Sequence, residues 1–301
     1  MSQRRHGEPL PLGDSGLPYS KGLMARALIA VGVPADHAYQ LARRVELDLA
    51  ERDGRAAEMP RLEQLAREVL GADEGDRAVG RLRRLADLQA LDVPVILLIG
   101  GSTGTGKSTV AAEVAHRLGI TRVASTDFIR QTMRAYFSPD FLPTIHSSSF
   151  EAGAALEGEV TGEPTIAGFV DQCRHVCVGV DAAVRRALTE GWSMVLEGVH
   201  LVPGLVPTQL EGALLVHVVI EIADVEVHRL HFHVRDSTTG GVRAMDKYLD
   251  RLDAIRSIQS YIVGRAEREA VPVVENANVE RTIDQVIELV MQAAERTRLT
   301  A

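Results

Sequence analysis

Lysine is nearly missing from this chain. Of its 33 basic side chains, only Lys21, Lys107 and Lys247 are lysines and the rest are arginine. A GC-rich coding bias is the ordinary reading, since Ala, Gly and Val are abundant too, but it singles out the three places where lysine survives. Aromatic residues are scarce as well, at 4%, so no ladder of rings is present for bases to stack on. The 41 acidic side chains outnumber the basic ones, giving a net charge of −8. That is the opposite of the basic footprint that neutralises nucleic-acid phosphates. No apolar run reaches the roughly 18 residues of a membrane span. The opening MSQRRHGEPLPLG carries charge but no apolar stretch of a secretory signal. Just two cysteines occur, Cys173 and Cys177, four apart in an apolar, helical stretch. Such a pair binds metal only with outside partners, and it reads as buried thiols in a reducing cytoplasm.

What is present is an ordinary globular composition, 46% apolar over 301 residues, enough for two modest domains. Residues 1–90 carry 14 acidic and 14 basic side chains, whereas 91–301 carry 27 and 19. The shift falls near GADEGDRAVG (71–80), which reads as a linker. The expected domains are 1–85 and 86–301.

The second domain alternates strands with helices. Val95–Ile99 is a continuous β-branched apolar run, as a parallel strand covered on both faces requires. Short strands follow at 122–125, 193–196, 214–222 and 271–274. Helical spacing occupies 110–118, 128–135, 167–190, 225–235, 246–269 and 279–298. The pattern predicts an α/β fold, a parallel five-stranded sheet with helices on both faces, with its site at the carboxyl ends of the strands.

Between the first strand and its helix stands Gly101-Ser102-Thr103-Gly104-Thr105-Gly106-Lys107-Ser108-Thr109, a G-x-x-x-x-G-K-[ST] loop in the right context. Glycines let successive N–H groups turn toward one anion, and the helix adds its positive end. Lys107 is then expected on the β- and γ-phosphates of ATP, and Ser108 on Mg²⁺.

Strand two ends at Ser125-Thr126-Asp127. The Asp127 carboxylate is placed to orient or deprotonate an acceptor hydroxyl. Arg130 and Arg134, four apart on the next helix, would clamp an anionic acceptor. The competing reading makes Asp127 an N-cap with two solvated arginines. Strand three ends at Glu197, which would hold a Mg²⁺-bound water in the usual Walker B position. His200 follows, either as a substrate contact or as a hydrogen-bonded histidine.

The polar segment 138–150, with His146 and Ser147-Ser148-Ser149, would line the acceptor pocket or form an ordinary surface loop. Past strand four, a helix with His228, His231, His233 and Arg235 leads through Gly240-Gly241 to Arg243 and Lys247. This suits a lid that brings Arg235 and Arg243 to the transferring phosphoryl group. A metal site of the three histidines is the weaker alternative, because His233 leaves the face of the other two.

Together, GGSTGTGKST, STDFIRQTMR, FLPTIHSSSF, LEGVHLVPG and KYLDRLDAIRSIQSYIV resemble the 2-phosphoglycerate kinases, a P-loop kinase family, over residues 93 to about 290. The resemblance implies ATP- and Mg²⁺-dependent phosphorylation of a small phosphorylated hydroxy acid, 2-phosphoglycerate to 2,3-bisphosphoglycerate. It puts Asp127, Arg130, Arg134 and His146 at the acceptor. The front of the chain, with Arg4, Tyr19, Ser20, Lys21 and Arg26, resembles an ATP-cone, a small, mostly helical nucleotide-binding module. That likeness implies two short leading strands and phosphate contacts from Lys21 and Arg26. Leu23, Ala27 and Leu28 are spaced for a buried face, and a docking role is the alternative. Two other functions stay open: a P-loop kinase of an inositol phosphate or nucleotide sugar, and a non-catalytic ATP-sensing regulator.

Overall fold

The computed structural model of the chain describes residues 19–52, 54, 56–156, 158, 161–239 and 248–300, with no account of the side chains of 233–239 and 298–300. Four helices come first: α1 (Lys21–Ala30), α2 (Ala35–Glu51), α3 (Met59–Leu70) and α4 (Ala72–Gln89). Then follow β1 (Val95–Gly100), α5 (Lys107–Leu118), β2 (Val123–Ser125), α6 (Thr126–Tyr136), α7 (Pro164–Glu190), β3 (Met194–Glu197) and β4 (Leu214–Glu221). The chain continues through α8 (Val225–Thr239), α9 (Leu252–Arg268), β5 (Val273–Glu275) and α10 (Val279–Thr300). Short 3-10 turns occupy Pro143–His146 and Ala152–Ala155. Two compact units result. Among the described residues, one holds those up to 92 with 115–121 and 291–300, the other 93–114 with those from 122 to 290.

The first unit is built on amphipathic helices. Helix α2 buries Ala38, Leu41, Ala42, Val45 and Leu49, the stripe that a 3.6-residue period places on one side. In α1 the buried face is Met24, Ala25, Ala27 and Leu28, so Leu23 is only half-buried. Ser20 caps α1 by accepting from the Leu23 amide at 3.4 Å. Asp48, 2% exposed, is held by Arg52 and by Arg61, whose Nε stands 2.9 Å from Oδ1. The Arg61 bond is the main reason its carboxyl lies below the usual range. The segment 71–80 is no linker. Gly71, at φ 86°, ends α3, and 72–80 form the first turns of α4. Gly75 serves close packing there: a Cβ would stand 2.7 Å from backbone atoms of Ala66 and Arg67. The leading strands implied for the front of the chain fall at residues 1–18, outside the described residues.

The second unit carries a five-stranded sheet of order β2-β3-β1-β4-β5, every pairing parallel. All six residues of β1 are buried. Ile96 and Leu98 join the core under α7, with Val176, Val180 and Val184. Leu97 and Ile99 point to the opposite face by the strand period and are equally covered. A further core gathers Val202 and Val219 with Ile255, Ile258 and Ile262 of α9. With the strands parallel, the ends of β1, β2 and β3 share one edge. The register sets Glu197 beside Ile99 on one side and Ser125 on the other. Among the described residues no helix is long and apolar enough to cross a membrane.

Candidate active site

The loop after β1 is shaped by its carbonyl groups. Ser102 O accepts from Lys107 Nζ at 2.6 Å and from Thr105 Oγ1 at 3.1 Å. Thr103 O accepts from His228 Nε2 at 2.8 Å, Gly104 O from His231 Nδ1 at 3.1 Å, and Thr105 O from Asn276 Nδ2 at 2.9 Å. A carbonyl can only accept, so His228 is protonated at Nε2 and His231 at Nδ1. Across a trans peptide the C=O and the next N–H point opposite ways. The amides of Thr103, Gly104, Thr105 and Gly106 therefore point away from these tethers, which leaves them available to an anion. Gly104 and Gly106 have φ of 88° and 82°. A Cβ on Gly104 would come within 2.5 Å of Phe232 Cζ, so the loop lies against α8.

These tethers explain the histidine cluster. His228 and His231 share a face of α8 and grip the phosphate loop, and the side chain of His233 lies outside the described residues. Among the described residues, no three metal-type side chains come together.

Lys107 is 8% exposed. Burial lowers its pKa, opposed by the carboxylates of Glu197 and Asp127. Glu197 is 7% exposed, and its carboxylate forms no hydrogen bond or salt bridge among the described residues. Ser108 Oγ, one residue into α5, is likewise without a partner among them.

Ser125, not Asp127, caps α6, its Oγ accepting from the Phe128 amide at 3.0 Å. The Asp127 carboxylate is thereby released from the N-cap. Its Oδ1 accepts from Arg130 Nε at 3.0 Å and NH2 at 2.7 Å, and its Oδ2 has no partner among the described residues. Arg130 NH1 donates to Ile145 O at 2.7 Å and Ser147 O at 2.9 Å. Four of its five N–H groups are thus engaged, and one NH2 hydrogen remains.

A cavity of about 760 Å³ brings most of these groups together. Thr103, Gly104, Gly106, Lys107, Ser108 and Thr109 form its phosphate-loop side. Asp127, Arg130, Glu197 and His200 line it as well, with Ser148 and Ser149 from the polar segment. Gly101, Ser102 and Thr105 are not among its lining residues, and Ser102 and Thr105 take part in the bonds that tether the loop. Arg134 and His146 are not among the lining residues. Arg134 bonds Gln131 Oε1 at 3.0 Å, and His146 Nε2 stands 2.9 Å from Phe137 O. The expected pair of clamping arginines is therefore divided, Arg130 inside and Arg134 out. Arg243 and Lys247 lie outside the described residues, as does the side chain of Arg235. In the first unit, Lys21 is exposed and pairs with Glu46 at 3.2 Å.

Several lining residues were not singled out from the sequence: Thr126, Gln172 and Asn276. The i, i+3 spacing of His228 and His231 marked a common face, but their partners lie more than 120 residues away.

A phosphate loop at the end of the central strand, with Asp127 just beyond the end of β2 and Glu197 closing β3, defines a P-loop phosphotransferase. No family model matches the chain. It is 37% identical over 280 residues to a 2-phosphoglycerate kinase of Pyrococcus furiosus, covering 93% of this chain and 91% of that one. It is 36% identical to the 2-phosphoglycerate kinase of Methanothermobacter thermautotrophicus, covering 90% and 89%. For that of Methanopyrus kandleri the identity is 34%, covering 90% and 83%. The chain belongs to the 2-phosphoglycerate kinase family and is a kinase. Among solved structures, a gluconokinase from Sinorhizobium meliloti aligns with 69% of this chain and 98% of its own, at 14% identity and a TM-score of 0.41.

Proposed function

We propose that the chain transfers the γ-phosphoryl group of ATP to the hydroxyl of 2-phosphoglycerate, giving 2,3-bisphosphoglycerate and ADP. The observation that carries this reading is the meeting, in one cavity, of the phosphate loop and an Asp127 whose Oδ2 has no partner among the described residues. The acceptor hydroxyl would donate to that oxygen and pass its proton there as its oxygen bonds to phosphorus. The bond from the γ-phosphorus to the β–γ bridging oxygen breaks as the new one forms, leaving ADP.

Lys107 supports the leaving side. Its bond to Ser102 O uses one of three ammonium hydrogens and leaves two for phosphate oxygens. The arriving negative charge favours the ammonium form that burial disfavours. Ser108 Oγ and the Glu197 carboxylate are hard oxygen donors facing the same cavity, without partners among the described residues, and they fit Mg²⁺, Glu197 through water. Bound there, the ion would offset charge on the β- and γ-phosphate oxygens. Arg235 and Arg243 are the proposed further cations. On the acceptor side, the last N–H of Arg130 and the Ser149 hydroxyl would meet the existing phosphate or carboxylate.

We read residues 1–85 as an accessory ATP-cone-like domain and 86–301 as the kinase domain. We infer a cytoplasmic setting, which the free thiols support: burial lifts Cys177 to about 11 and Cys173 well above its ordinary range.

The test is transfer from labelled ATP to 2-phosphoglycerate, 3-phosphoglycerate, an inositol phosphate and a nucleotide sugar, with and without Mg²⁺. Mg²⁺-dependent label on 2-phosphoglycerate in preference to the others is expected. Preference for another acceptor, or no transfer to any, overturns the reading.

A further inference from the structure

A closed circuit of hydrogen bonds runs behind the acceptor side of the cavity. From Asp127 Oδ1 it passes to Arg130, then through NH1 to Ser147 O at 2.9 Å. Ser147 O also accepts from Gln172 Nε2 at 3.1 Å, and the same amide group donates to Thr144 O at 2.5 Å. Both Nε2 hydrogens being used on carbonyls, Gln172 Oε1 must accept. Its partner at 3.0 Å is His200 Nε2, which is therefore the protonated ring nitrogen. His200 Nδ1 is left to accept from Thr126 Oγ1 at 2.8 Å. The peptide bond from Thr126 to Asp127 closes the ring.

Gln172 and His200 are buried at 0% and 1% exposure. Although both face the cavity, every polar atom of their side chains is committed within the protein. Gly198 makes room for the circuit, since a Cβ there would stand 1.8 Å from Thr126 Oγ1.

We propose that Gln172 and His200 are positioning residues: they fix the turn 143–147 to the Thr126–Asp127 step, so that Asp127 and Ser149 keep a set separation across the acceptor. Ser149 follows the pinned Ser147 by two residues. It is 8% exposed, faces the cavity and has no partner among the described residues. A direct proton-transfer role for His200 is ruled against by its two engaged nitrogens. Burial, chiefly, with Arg130 nearby, also lowers it to about 3.

The proposal rests on the kinase reading for its kinetic arm only. In Gln172→Leu the acceptor KM is expected to rise about tenfold or more, while the ATP KM stays within about twofold. Thr126→Val, nearly isosteric, should raise the acceptor KM by a smaller factor. His200→Gln keeps a donor toward Gln172 and should recover most of what His200→Leu loses. Independently of any substrate, amide exchange of ligand-free protein at 143–149 should quicken in Gln172→Leu, with 101–108 unchanged.

Equal changes in both KM values, or unaltered exchange at 143–149, overturn the proposal. If wild-type protein phosphorylates no phosphoglycerate, the proposed function fails while the exchange arm still decides this one. Should Gln172→Leu not fold, judged by fluorescence of the single tryptophan, Trp192, Thr126→Val carries both arms.

Discussion

His228 donates from Nε2 to the carbonyl oxygen of Thr103 at 2.8 Å, and its ring stacks on Phe232 with centroids 5.3 Å apart. Phe232 occupies the space that a Cβ on Gly104 would need. One helix residue thus bonds the phosphate loop while its neighbour one turn on sets the loop's distance. His228→Phe keeps the ring and removes the donor. A net loss of about 1 kcal/mol is expected, a roughly fivefold rise in ATP KM. Steady-state kinetics with either substrate varied check this, and the acceptor KM should stay unchanged.

Lys107→Ala should reduce transfer by about a thousandfold or more, because the removed cation acts where charge develops. Trp192 lies in the second unit, so unaltered fluorescence and denaturation midpoint would confirm that the unit still folds. Isothermal titration of the same variant tests the accessory domain: ATP binding that persists, and disappears on adding Lys21→Ala, would locate a second nucleotide site.

Arg130→Ala and Arg134→Ala should part company. The first removes the remaining N–H from the cavity and releases Ile145 O and Ser147 O, so acceptor KM rises far more than ATP KM. Arg134 is exposed and outside the cavity, and its replacement should change either KM by less than about twofold. Equal effects of the two variants would return Arg134 to the acceptor site.

Three histidines of the second unit make its stability fall in mild acid. Burial is the first cause in each: His200 is lowered to about 3, His217 to about 4, and His228 below its ordinary value. In the unfolded chain each binds a proton below about pH 6.5 that the folded form refuses. Their contribution is complete above pH 6.5 and is lost as pH falls toward the folded values. Between pH 7.5 and 5.5 the loss should be about 1 kcal/mol for each of His200 and His217. Urea unfolding followed at Trp192 measures it, and a double His200→Gln, His217→Gln variant should flatten the trend.

Elements with a local cause were legible in the sequence. The β1 run, the glycine-lysine loop and the helix after it follow from hydrophobicity, φ freedom and spacing, and the positions of Asp127 and Glu197 follow from lying at the ends of short strands. Three features were not legible, two of them because their causes are non-local. GADEGDRAVG has the composition of a linker, yet Gly75 answers to the backbone of the preceding helix. Ser125 takes the capping role that Asp127 could have filled, and so begins α6 at Thr126, two residues ahead of the apolar spacing. His200 stayed open between contact and support because its partners, Thr126 and Gln172, lie 74 and 28 residues away.

The tethers on the phosphate loop imply where its ordering entropy is incurred. Holding a residue's backbone in one conformation opposes order by about 1–2 kcal/mol. With the carbonyls of residues 102 to 105 already bonded, that cost falls on folding, and an incoming polyphosphate meets a loop already held in shape. Three of the tethering side chains, His228, His231 and Asn276, come from beyond residue 224. A fragment ending after β4 would keep every letter of the motif and lose the scaffold that gives it shape.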